Sequence, residues 1–167
     1  MILNSPLAAC YRTGTQFGTN WLGPTVLLLM RFWVALAFWR AGIVKLSDPY
    51  GTEFLFSTMY QVPLLSASAA AFLGMWVELI TPWLLGLGLV GRLTAVLLFV
   101  YNVIAVISYS ALWPHGFFTG LFNTADFADH KIWALMLLAV IAWGPGKWSI
   151  DAIVVHLYQS RRNKPRI

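Results

Sequence analysis

Residues 24–46 read PTVLLLMRFWVALAFWRAGIVKL, an apolar run broken only by Arg31, Arg40 and Lys45. At 1.5 Å per residue, a helix of this length covers the roughly 30 Å hydrocarbon core of a bilayer. Pro24 suits its first turn, where a missing N–H leaves nothing unpaired. Three further runs follow. One extends from Pro63 to about Leu89, opened by a proline and interrupted by Glu78 and Pro82. Residues 93–113, LTAVLLFVYNVIAVISYSALW, come after a break at residues 88–92 short enough to make them its antiparallel neighbour. The last run, from Phe127 or His130 to Trp143, is short for a span and stops at Gly144-Pro145-Gly146. Beyond that breaker, Ser149 can cap a helix with Ile150, Ile153, Val154, Leu157 and Tyr158 on one face and Asp151, His156 and Gln159 on the other. The pattern predicts an all-α fold: a four-helix transmembrane bundle with a C-terminal amphipathic helix on the membrane surface.

Composition supports a lipid-embedded chain. Of 167 residues, 59% are apolar and only 10% charged, against roughly 25% charged in soluble domains. The length allows one domain, divided into a segment 1–23, a four-span region 24–147, and the surface helix with its tail, 148–167. The formal charge of +5 is not gathered on an aromatic-interleaved face, so a lipid bilayer rather than nucleic acid is the expected partner. Cys10 is the single cysteine, which excludes an intramolecular disulfide, CxxC exchange and a Cys-rich metal site. Residues 1–23 lack the apolar core and small-residue site of a cleaved signal, so the first span is expected to stay as an anchor.

Placing both termini in the cytoplasm puts Arg12, Arg92, Lys147, Arg161, Arg162, Lys164 and Arg166 inside. Lys45 and Lys131 then stand outside, with Asp48, Glu53, Asp126 and Asp129. The basic tail suits anionic headgroups. A bacterial-type inner membrane crossed several times is the expected location. Trp21, Trp113, Trp143 and Trp148 fall at the implied interfaces, where aromatic belts anchor spans.

Charges within the spans mark the candidate site, because an ion near the bilayer centre costs several kcal/mol and needs a partner. Arg31 lies about 10 Å into the first span, and Glu78 is expected at similar depth in the second, which predicts a buried Arg31–Glu78 pair in the cytoplasmic half. The pair could serve register alone or form a polar pocket for an anionic or quinone-like headgroup. Gly42 and Lys45 share the Arg31 face, whereas Arg40 points the other way and can snorkel. Asn102, mid-span, suits an interhelical hydrogen bond or a ligand contact. His115 and His130, with Asp126 and Asp129, are weak metal candidates, since no paired histidines occur at helical spacing.

The segments MRFWVALAFWRAGIVKL, EFLFSTMYQVPLL, AAAFLGMWVELITPWLLGLGLVGR and HKIWALMLLAVIAWGPGKWSID together resemble the DoxX family of small four-helix membrane proteins, over roughly residues 30–151. By that resemblance Arg31, Gly42, Lys45, Glu78, Arg92 and the Gly144-Pro145-Gly146 turn match recurrent positions, none with a secure chemical role. Arg40 and Met59 depart from the pattern. The resemblance implies association with quinol oxidase or thiosulfate:quinone oxidoreductase complexes, or with copper-responsive, peptide-modifying systems of the bufferin type, the second being closer.

Two functions follow as expectations. One is an accessory or scaffold subunit of an oxidoreductase or metal-stress system, with a membrane or periplasmic protein partner. The other is a quinone-binding subunit, quinone being the cofactor the embedded charges suggest. No catalytic constellation is legible, so whether the chain is an enzyme stays open. Transport is disfavoured because no inverted repeat or pair of broken helices is evident.

Overall fold

The computed structural model describes residues 6–162, and all regular structure among them is helical. α1 (Pro6–Phe17) passes through a π-helical turn, Gly18–Leu22, into α2 (Gly23–Ser47). No helical signal is legible ahead of Pro24, yet the rod is continuous. Asp48 ends α2 and caps α3 (Pro49–Thr58), accepting from the Gly51 N–H at 2.9 Å, with Pro49 at the first position. α4 (Ala67–Leu87), α5 (Gly91–Ser108), a 3₁₀ turn Ser110–Leu112, α6 (Phe117–Phe122), α7 (Ala128–Trp143) and α8 (Ile150–Arg162) complete the chain.

The second span therefore begins later than Pro63 suggested. Leu64 adopts φ 66°, which no helix accommodates, and the Ser66 hydroxyl caps α4 by accepting from Ala69 N–H. Residues 59–66 become a non-helical connection. At the other end, Ser149 caps α8 as its position promised, accepting from Ala152 N–H at 3.2 Å. Asp151, placed by its spacing on a solvated face, instead accepts from the N–H groups of Val90 and Gly91 at 2.8 and 2.7 Å. It so satisfies the start of α5. Lys164 and Arg166 of the basic tail lie outside the described residues.

α2, α4, α5 and α7 form a ring: α2 packs most extensively on α4 and α5 on α7, with α2–α7 and α4–α5 contacts closing it. Val34, Phe38, Leu85, Ala95, Leu98, Leu137 and Val140 fill the centre. Leu29, Trp33, Leu93 and Leu135 face outward and exposed, the reverse of a water-soluble bundle. Three helical stretches are long and apolar enough to cross a membrane: Ala8–Ser47, Ala67–Leu87 and Gly91–Ser108. α7 has 16 residues, about 24 Å, and completes the bundle as its shortest member. Trp21, Trp143 and Trp148 stand exposed, as belt residues would, while Trp113 is half-buried and donates to the Val106 carbonyl at 2.9 Å.

One contact sets the register of α2 on α4. A Cβ at Gly42 would lie 2.9 Å from the backbone carbonyl carbon of Glu78. Backbone cannot yield as a side-chain tip can, so Gly42→Ala is expected to push the helices apart and cost about 1–3 kcal/mol. A drop in thermal midpoint of the detergent-solubilised protein would show it, and an unchanged midpoint would mean α2 and α4 are not held this closely.

Candidate functional site

That register separates the two residues expected to pair. In an antiparallel pair with Gly42 against Glu78, Arg31 must face a point eleven positions back along α2, roughly 16 Å from Glu78. It meets the end of α4. The Arg31 guanidinium, fully buried, donates to the carbonyls of Leu85 at 3.4 Å, Gly86 at 3.2 Å and Trp148 at 2.5 Å. The Arg31–Glu78 pair is thus not formed. Arg31 stands seven residues beyond Pro24 but Glu78 eleven before Leu89, so the two differ in depth by about one helical turn. Arg31 satisfies carbonyls that a helix C-terminus leaves open, where a cation is also favoured by the helix dipole. Arg40 is exposed on the opposite face, as its spacing required.

Glu78, 5% exposed, takes Lys45 as its ionic partner, with Nζ to Oε2 at 2.5 Å. Its other oxygen accepts from the Tyr101 hydroxyl at 2.7 Å. Tyr101 was not a candidate from sequence, where a lone tyrosine in an apolar run reads as packing. These three side chains border a chamber of about 490 Å³ between α2, α4, α5, α7 and the 59–66 connection. Phe38 and Trp133 supply apolar wall, their rings 5.4 Å apart, and Phe38 meets Tyr101 edge-on at 6.0 Å. Lys45 spends one of its three N–H groups on Glu78, leaving donors for a ligand acceptor.

Asn102 makes the interhelical bonds its position suggested. Its amide donates to the His130 carbonyl at 2.9 Å, which orients the amide so that its oxygen faces His130 Nδ1 at 2.8 Å. Nδ1 must therefore carry the hydrogen, and neutral His130, a chamber-lining residue, keeps Nε2 as an acceptor. His115 turns elsewhere, to Asp126 at 3.2 Å. The two histidines thus have separate partners, and among the described residues no group of three or more His, Cys, Asp or Glu side chains is placed to hold a metal. In the chamber wall, Tyr60 stacks between Phe56 and Tyr109 at 4.7 and 4.8 Å. Burial, then the neighbouring Tyr109 and Glu78, pushes the Tyr60 hydroxyl above the ordinary phenol range, so it stays protonated at physiological pH.

Helices too apolar for water, an ionic pair held inside them, and a chamber opening on that pair define a multi-span membrane protein with an internal polar site. The sequence model of the DoxX family matches residues 26–111, and the chain belongs to that family. No curated protein and no solved structure matches it.

Proposed function

We propose that the protein holds a flat, lipid-soluble ring compound of the quinone class in this chamber, as an accessory subunit of a membrane oxidoreductase or of a copper-responsive, peptide-modifying system. The observation that carries the reading is Glu78, braced by Lys45 and Tyr101, opening on about 490 Å³ of otherwise apolar space. That volume lies in the usual range for small-molecule sites, and a few convergent polar groups in apolar walls are what orient such ligands. Titration calorimetry on the purified full chain tests it, using a naphthoquinone methylated beside both carbonyls so that Cys10 cannot add to the ring. Binding is expected, weakened about tenfold by Glu78→Gln, which leaves Lys45 without its counter-charge. No binding, or full affinity in the variant, would contradict the reading.

A scaffold role finds its support in the continuous helix Ala8–Ser47, whose 40 residues extend about 60 Å, twice the hydrocarbon thickness. Such a rod carries Tyr11 and Phe17, both exposed, beyond the cytoplasmic end of the bundle, where they can meet a membrane protein partner. The bundle end bearing Arg92, Lys147, Arg161 and Arg162 fits the cytoplasmic face of an inner membrane crossed four times, with Lys45 and Lys131 at the far side.

A further inference from the structure

Ser108 lies at the last position of α5 and lines the chamber, with 2% of its surface exposed. Its Oγ has no hydrogen-bond partner among the described residues. The embedded threonine hydroxyls Thr81 and Thr94 turn back on their own helices, donating to the Val77 carbonyl at 2.6 Å and to that of Val90 at 3.1 Å. That is the ordinary way to satisfy a hydroxyl in an apolar medium. The Ser108 backbone is fixed, because its carbonyl accepts from Gln61 N–H at 2.8 Å. A buried hydroxyl held in place yet unpaired is costly, and the cost ends when a ligand accepts from it.

The position is also informative. Ser108 is seven residues beyond Tyr101, hence on the same face of α5 and roughly 10 Å further along it. Lys45 reaches the chamber from α2, which stands diagonally across the ring from α5. Lys45 meets α5 at Tyr101 through Glu78, so the Ser108 hydroxyl, further along that helix, is a second donor point of the same chamber.

We infer that Ser108 is the second anchoring contact of the chamber, donating to an acceptor at the end of the ligand remote from Lys45. The preferred occupant then carries acceptors at two opposed positions, as a para-dione does, in contrast to a lipid or ketone with one polar end. This rests on the ligand-binding reading above. The rival account is that serine is present only for its small size.

Ser108→Ala separates the two, being almost isosteric and leaving the backbone bond to Gln61 intact. Calorimetry on the full chain in detergent would compare the dimethyl naphthoquinone with the corresponding dimethyl tetralone, which keeps the bicyclic frame but has one carbonyl. Loss of one net hydrogen bond predicts dione affinity about three- to tenfold lower in the variant. Tetralone affinity should change less than twofold, since its single carbonyl is served by Lys45. The ligand-free variant should melt no lower than the parent, having lost an unpaired buried hydroxyl. Unchanged dione affinity, or equal losses for both compounds, would overturn the inference while leaving the chamber a ligand site. Failure of the parent chain to bind the dione would overturn both.

Discussion

Lys45→Met is expected to lower the stability of the solubilised protein by about 3 kcal/mol, with Glu78 the cause. Removing one member of a buried pair leaves the other charge without its partner, and such losses run to about 3–5 kcal/mol. The lower end applies because Lys45 retains 20% side-chain exposure and Glu78 keeps its bond from Tyr101. Adding Glu78→Gln to Lys45→Met should recover much of the loss, since a neutral amide no longer needs an ammonium. The measurement is a double-mutant cycle on thermal midpoints, with a coupling of about 1–3 kcal/mol expected. Additive losses would show that the contact at 2.5 Å contributes nothing beyond its two separate environments.

Arg31→Met is expected to be comparably damaging for a different reason. Here no carboxylate is orphaned. The carbonyls of Gly86 and Trp148 lose their donor, each unsatisfied group costing about 1–3 kcal/mol, while that of Leu85 keeps the Gly88 N–H at 3.1 Å. Arg31→Lys should recover only part, because a single ammonium cannot reproduce the planar fork that reaches α4 and Trp148 together. The effect also has a place. Trp148 precedes α8, so loss of its tether should free the turn of residues 144–149, and hydrogen exchange there should quicken before the core of α4 is affected. If exchange quickens uniformly, or not at all, Arg31 is not what fastens that turn.

The bundle was legible because hydrophobic length is a coarse signal that lipid enforces on every span, and α2 and α7 fall within a residue or two of where the apolar runs placed them. The cap at Ser149 was equally readable, being local chemistry. Short α3 and α6, set among aromatic residues in the connections, carried no periodic stretch long enough to declare themselves. The pairing of embedded charges was not readable, because it depends on helix register, and register here turns on a single close approach at Gly42. Which glycine meets which backbone is a fact of three dimensions. The cost of polarity in hydrocarbon singles out Arg31, Glu78, Lys45 and Asn102 but not their partners: Glu78 belongs with Lys45, and Arg31 with helix-end carbonyls. Tyr101 and Ser108 escaped notice because a hydroxyl among apolar residues costs little when it bonds its own helix, and only the structure shows that these two do not.

We propose that the chamber bordered by Lys45, Glu78 and Tyr101 holds the ligand. Photolabelling tests it most directly, with an azido-substituted naphthoquinone irradiated on the full chain in lipid nanodiscs and the modified residues read by peptide mass spectrometry. Labels are predicted on Phe38, on the stretch from Tyr101 to Ser108 and on Trp133, all diminished by excess unmodified quinone. The obvious competitor is the smaller apolar groove of about 170 Å³ on the outer surface of α2 and α4, beside Trp39 and Trp83. Competable labelling confined to that groove, with the chamber residues untouched, would contradict the account.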